Sequence, residues 1–240
     1  MSTYCFTDLH SNYEIWKQIK NYIKPTDTVY CLGDCIDRGK VGLNVLLEIL
    51  NTHNITLLKG NHEDFLTTYG LYYLDNERDM YERAASLWFA NGGERSYEQF
   101  MRFCTEKQKN LIEIVDNLPT WAEYTNTQNQ KIFMCHAGKN PKKIERIRQH
   151  FGFVENNYLW DREHIQTKRW TGEINEYCVH GHTPVQTLKP QIDSKDPHIL
   201  HYCENHKIDL DLGTFITNKA CLLNLDTWEE IYFKKEDDDE

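Results

Sequence analysis

Five short apolar runs in this chain of 240 residues end in side chains able to do chemistry. Thr3 to Thr7 leads into Asp8-Leu9-His10, Thr28 to Leu32 into Gly33-Asp34-Cys35-Ile36-Asp37-Arg38-Gly39, and Ile55 to Leu58 into Gly60-Asn61-His62-Glu63. Farther along, Phe133-Met134-Cys135 leads into His136-Ala137-Gly138, and Tyr177-Cys178-Val179 into His180-Gly181-His182-Thr183-Pro184. Carboxylate, imidazole and amide-oxygen donors without thiolate suit borderline or hard divalent ions: Mn, Fe or Zn, or Mg. Six such donors exceed what one catalytic ion with an open position takes. They match two ions, about 3.5–4 Å apart, that share a bridging carboxylate. Singly, each residue has a structural explanation, since an Asp after a strand caps a helix and a lone His is satisfied in a core or on a surface. Five polar clusters at successive strand ends, four of them flanked by glycine, are poorly explained that way.

The elements that must position these groups follow from periodicity. Asp8 and Asp34 are 26 positions apart, and Asp34 and Asn61 are 27, each about one strand–helix–strand repeat. The spacing predicts three parallel strands whose C-terminal ends lie side by side, the edge where open α/β sheets bind ligands. Ser11 and Glu14 have the spacing of a capping box before a helix that repeats Ile15, Ile19 and Tyr22 and is closed by Pro25. Val41 to Leu50 reads as a second helix with Leu43, Leu46, Leu47 and Leu50 on one face. Residues 64–118 read as a helical insertion or cap. In the second half, Trp121–Tyr124 and Lys131–Cys135 read as a hairpin. Tyr177–Val179, Ile208–Leu212, Ala220–Leu225 and Glu230–Phe233 read as further strands, with a turn at Asp226-Thr227. Without long helices between them, these strands predict a second sheet, mixed or antiparallel. The expected fold is α/β: two packed mixed sheets flanked by helices, one domain over 1–235 with an acidic tail at 236–240.

Composition narrows the class. Lys plus Arg is 27 against 37 Asp plus Glu, a net charge of −10, which argues against a nucleic-acid binder. No apolar run reaches the ~20 residues of a membrane span, and no secretory signal precedes Asp8, so no membrane partner and a cytoplasmic location are expected. Eight cysteines then imply a reducing compartment, with Cys5, Cys31, Cys135 and Cys178 acting as small buried hydrophobes. Trp121, Trp160, Trp170 and Trp228 are expected in packing. The basic run Lys139, Lys142, Lys143, Arg146 and Arg148 reads as a solvated helix face.

Asp8-x-His10, Gly33-Asp34-x-x-Asp37-Arg38-Gly39 and Gly60-Asn61-His62-Glu63 resemble the three signature blocks of the calcineurin-like metallophosphoesterases. The Arg38-Gly39 extension is similar to the PPP-type Ser/Thr protein phosphatases. Trp160-Asp161-Arg162-Glu163, Gly181-His182-Thr183-Pro184 and Asp209-Leu210-Asp211-Leu212-Gly213 resemble the bacterial and bacteriophage (lambda phosphatase-like) branch, as does the Asn91-Gly92-Gly93 loop. The first block departs from the usual Gly-Asp-x-His-Gly: Thr7 and Ser11 replace the glycines, and Ser11 is free to cap the following helix. Leu212 replaces the usual threonine of Asp-Thr-Gly.

The resemblance implies roles. Asp8, His10 and Asp34 would hold one ion and Asp34, Asn61, His136 and His182 the other, with manganese expected and iron or zinc as substitutes. His180 competes with His182, and the resemblance assigns it a supporting place. Arg38 and Arg162 would clamp phosphate oxygens together with Asn61; for Arg162 the plain alternative is a surface salt bridge. His62 would be the general acid, oriented by Asp37, while a hydroxide bridging the ions attacks phosphorus. The implied substrates are phosphoserine and phosphothreonine in proteins, with phosphotyrosine as an extension, or a small phosphoester. The alternatives are a symmetrical dinucleoside tetraphosphate hydrolase, against which Glu63 weighs, and a non-catalytic scaffold. Oligomeric state is left open.

Overall fold

The computed structural model describes residues 1–140, 155–166, 169–170, 172–189 and 192–235. The acidic tail and Lys142, Lys143, Arg146 and Arg148 of the basic run lie outside them. Two five-stranded mixed sheets carry the fold. In the first, β1 (Thr3–Phe6), β2 (Thr28–Cys31) and β3 (Ile55–Leu57) are parallel, with α1 (Tyr13–Tyr22) and α2 (Asn44–Leu50) in the crossovers. Four helices follow: α3 (Asn61–Leu74), α4 (Arg78–Ala90), α5 (Glu94–Met101) and α6 (Thr105–Asp116). The second sheet has the order β4 (Trp121–Thr125), β5 (Lys131–Cys135), β6 (Glu176–His180), β8 (Lys207–Asp209), β7 (Leu200–Tyr202). Helix α7 (Glu155–Trp160) precedes β6, and the short helices α8 (Val185–Leu188) and α9 (Thr214–Thr217) follow β6 and β8. The last strands, β9 (Lys219–Asn224) and β10 (Glu230–Lys234), do not join the second sheet as expected. They return to the first, where β9 lies antiparallel to β1.

Strand alternation sorts the core into layers. Tyr4 and Phe6 of β1 face the helices, where they meet Trp16, Leu46, Trp88 and Phe100, while Cys5 between them faces the other sheet. Ala220 and Leu222 of β9 point to the helices, and Cys221 and Leu223 point across to Ile132, Met134 and Val179. Phe133 and Cys135 on the far side of β5 pack on Tyr158 of α7. The helices α3–α6 share the first of these cores with α1 and α2 through Phe65, Leu66, Tyr69, Leu111 and Ile112. Burying roughly 25 cal/mol per Å2 of apolar surface on both faces of the first sheet is what holds it between its neighbours.

Two local expectations are corrected. Asn12, not Ser11, caps α1, its side chain accepting from the Ile15 N–H; Ser11 sits at φ 59° and donates its hydroxyl to the Gly42 carbonyl. Ser11 therefore stands at a left-handed position suited to glycine, which rules out the capping geometry. Trp16 replaces Tyr22 on the buried face of α1, and Tyr22 is 44% exposed at its edge. Among the described residues no helix is long and apolar enough to cross a membrane.

Candidate active site

Five loops at the C-terminal ends of β1, β2, β3, β5 and β6 converge where the two sheets meet. The β1–β2 ladder continues past the strands: Asp8, His10 and Ser11 donate backbone N–H to the carbonyls of Gly33, Asp34 and Cys35 at 3.1, 2.9 and 2.9 Å. The β3 loop lies so close that a Cβ on Gly33, at φ 102°, would stand 2.5 Å from the Gly60 nitrogen. Glu63 joins the two loops, accepting the N–H of Asp34, Cys35 and Gly60 at 2.8, 2.8 and 2.9 Å. Burial and the Asp34 charge push its carboxyl up to about 7. Across the seam, Gly181 donates to the His136 carbonyl and the His182 N–H donates to Asp8 Oδ2 at 3.0 Å.

Backbone strain concentrates in these loops. Asp8, His10, Ser11, Asp34, Asp37, Arg38 and His182 are seven of the fourteen non-glycine residues with positive φ among the described residues. Such conformations cost on the order of 1–3 kcal/mol each and persist where the surroundings over-determine them.

The side chains so placed form two groups that share one residue. His10, Asp34 and His62 bring donor atoms together, as do Asp34, His136 and His182. Asp34 lies 3.6 Å from His10 Nε2 through Oδ2 and 3.4 Å from His136 Nε2 through Oδ1. Asn61 Oδ1 is 2.8 Å from both His136 Nε2 and His182 Nδ1, and Asp8 Oδ1 is 3.8 Å from His10 Nε2. All six residues, Asp8, His10, Asp34, Asn61, His136 and His182, are buried. His10 and His136 turn Nδ1 toward the carbonyls of Ile36 and Leu32, at 3.0 Å each, leaving Nε2 to face the centre. That outer hydrogen bond fixes the tautomer a metal-ligating histidine needs.

The donors fit divalent ions on their own chemistry. Asp8 Oδ1 and His182 Nε2 are buried without hydrogen-bond partners. Burial and the neighbouring His136 push His182 down to about 2, so it is neutral, with one ring nitrogen able to offer its lone pair. Burial would raise Asp34, but the charges of His136 and His62 outweigh it and hold the carboxyl well below its usual range. Burial would depress His136, yet Asp34 holds it up at about 10. The buried Asp34 carboxylate thus draws positive charge into the pocket, as an ion site does. His180 faces elsewhere: its Nε2 contacts the Tyr202 hydroxyl at 2.7 Å, and burial beside His164 pushes it down to about 3.

Around these donors lie the remaining predicted residues. His62 Nδ1 donates to Asp37 Oδ2 at 2.7 Å. Burial would lower His62, but Asp34 and Asp37 together raise it. Arg38 donates to His10 Nε2 and His62 Nε2, at 2.9 Å each. Arg162, exposed at the rim, reaches Thr183 Oγ1 at 3.5 Å, beside His182.

Thr7 donates to Asp8 Oδ2 at 2.6 Å, so the threonine adds a hydrogen bond where the family pattern has glycine. Leu212 fills the core between the sheets, and Asp211 Oδ1 accepts the Gly213 N–H at 2.8 Å to turn the chain into α9.

That turn delivers a residue no sequence signal marks. The Phe215 ring lies 4.6 Å under the Arg38 guanidinium carbon and 5.6 Å from the His10 ring. On the opposite side Trp160, 40% exposed, stands 6.2 Å from His182 and 5.2 Å from Phe65.

A family model, calcineurin-like phosphoesterase, matches residues 1–213. The chain belongs to that family. A curated relative, the serine/threonine-protein phosphatase PP2A-like PPG1 of Candida albicans, is 27% identical over 152 residues, 59% of this chain. The chain spans only 30% of that relative's length. Solved structures share the fold at low identity. A candidate diadenosine tetraphosphatase has TM-score 0.58 and 12% identity, covering 98% of this chain and 94% of its own. A metallophosphoesterase from Sphaerobacter thermophilus has TM-score 0.55 and 13% identity, with 98% and 89% covered. A serine/threonine phosphatase from Saccharomyces cerevisiae with similarity to human phosphatase PP5 has TM-score 0.54 and 12% identity, with 99% and 81% covered.

Proposed function

We propose that this phosphoesterase is a metal-dependent phosphatase for phosphomonoesters, with phosphoserine and phosphothreonine of proteins as substrates and phosphotyrosine within its range. The observation that carries this reading is Asp34, whose two carboxylate oxygens face His10 and His62 on one side and His136 on the other. Asp8, His10 and Asp34 would hold one divalent ion and Asp34, Asn61, His136 and His182 a second, with manganese proposed for both. Bound there, such ions neutralise a phosphate dianion and bring the pKa of water toward neutrality.

The chain's own residues supply orientation and the proton. The Arg38 fork is matched to two nonbridging phosphate oxygens, and Arg162 approaches from the His182 side. When Arg38 turns to phosphate, it releases His62 Nε2 from its 2.9 Å hydrogen bond. With Nδ1–H held by Asp37, the freed Nε2 takes up a proton from solvent and delivers it to the departing alkoxide. Phe215 and Trp160 wall the approach and exclude water beside the reacting bond.

Hydrolysis assays decide the reading. The purified chain with manganese is expected to release phosphate from p-nitrophenyl phosphate and from phosphoserine peptides, and to lose both activities with a chelator. Preference for diadenosine tetraphosphate over the peptides would transfer the site to dinucleotide hydrolysis. Inertness toward all three would leave only a binding scaffold.

A further inference from the structure

We propose that Trp88 is a positioning residue for proton delivery, acting through Asp37, and that holding this dyad is what helices α4 and α5, with the turn between them, contribute to catalysis. The inference rests on the reading of His62 as general acid. The Trp88 indole Nε1–H donates to Asp37 Oδ2 at 2.7 Å, the same oxygen that receives His62 Nδ1–H at 2.7 Å. On Oδ2 these two donors set the plane of the carboxylate, with the Ser96 side chain also acting on it. A carboxylate held from one side only by an imidazole is free to rotate about its own bond. Two donors converging on one oxygen remove that freedom.

The segment is built around this contact. Trp88 is fully buried, with the rings of Tyr69, Tyr97 and Phe89 at 5.7, 6.3 and 6.5 Å, so the indole has one orientation. The turn Asn91-Gly92-Gly93 then passes over its N–H edge. A Cβ on Gly93 would lie 2.2 Å from Trp88 Cδ1 and 2.3 Å from Nε1, so no side chain fits there. The same turn grips Arg38, whose backbone N–H donates to the Gly92 carbonyl at 2.8 Å. From the next helix Ser96 Oγ accepts the Asp37 N–H at 3.2 Å. Three residues of the segment thus hold Asp37 and Arg38, which belong to the β2 loop.

A role in proton delivery is distinguishable from a purely structural one by the leaving group. p-Nitrophenolate departs with little need of a proton, whereas a serine alkoxide requires one. Trp88→Phe keeps the ring packing and removes the donor. With manganese, kcat for a phosphoserine peptide is expected to fall about 10–100-fold, the usual loss for an outer partner, against a few-fold for p-nitrophenyl phosphate, at unchanged metal content. In a His62→Asn background the same substitution is expected to add less than about twofold, because the group it positions is gone. Gly93→Ala, which keeps the indole but displaces it, is expected to show the same selectivity and decides the matter where Trp88→Phe fails to fold. Equal loss on both esters, or full additivity with His62→Asn, would overturn the proposal. A wild-type chain inert toward both esters would instead sink the functional reading on which it stands.

Discussion

Asp34 accepts the backbone N–H of His62 at 3.0 Å through Oδ1, the oxygen that also lies 3.4 Å from His136 Nε2. The carboxylate shared by the two donor groups is therefore fastened to the first turn of the helix that carries the proposed general acid. Charge, position and proton source are set by one side chain. Asp34→Asn should accordingly empty the centre rather than trim it. Elemental analysis of the wild-type chain after manganese loading is expected to give about two ions, and the variant fewer than one.

His62→Asn should leave metal binding intact and remove the proton donor. General acids contribute about 10²–10⁴-fold. A loss of that size is expected in kcat for phosphoserine peptides, with a smaller one for p-nitrophenyl phosphate. Steady-state kinetics on the two esters checks it, and equal kcat of variant and wild type on the peptide would remove His62 from the role.

Phe215 under Arg38 gives a prediction about binding. A cation over a ring at a half-exposed site is worth about 0.5–1 kcal/mol, or about two- to fivefold. Phe215→Ala should raise KM for phosphomonoesters by that factor with kcat nearly unchanged, and Phe215→Tyr should restore it. Phe215→Leu, similar in bulk but without the ring face, should not. Inhibition by inorganic phosphate offers an independent readout.

Far from the centre, Glu48 ties α2 to α1. Its carboxylate accepts from Trp16 Nε1 at 3.0 Å, Lys20 Nζ at 2.8 Å and the Tyr13 hydroxyl. The Lys20 hydrogen bond first, then that of Tyr13, bring its pKa from 4.5 down to about 2. A depressed carboxyl stabilises the fold fully above the unfolded value and loses that contribution as pH falls toward the folded one. Thermal unfolding of wild type should therefore weaken between about pH 4.5 and 2 more steeply than that of Glu48→Gln. Parallel curves would remove Glu48 from the acid response.

The three parallel strands were legible because each is a short apolar run ending in a polar cluster, with glycine beside it in the second and third, a pattern that survives in one dimension. That pattern gathered the candidate clusters, the resemblance picked Asp8, His10, Asp34, Asn61, His136 and His182 out of them, and the structure places these side chains around one buried centre, with neighbouring donor atoms 2.8–3.8 Å apart. Ser11 was misread because its spacing to Glu14 mimics a cap, while its backbone conformation is set by the β1–β2 contact. The return of β9 to the first sheet was hidden because both of its faces are buried, and alternation alone does not name a partner. Elements as short as β7 and α9 span too few residues to show a period. Trp88 and Phe215 escaped for a different reason. Each acts through one contact with a residue far off in the sequence, and an aromatic side chain reads as ordinary core.

The six donors do not lie on one half of the molecule. Asp8, His10, Asp34 and Asn61 hang from the first sheet, and His136 and His182 from the second. A nascent or damaged chain in which a single layer has condensed therefore offers an incomplete chelator. On the proposed reading, hydrolytic competence would report that both sheets have closed, contacts distant in sequence included.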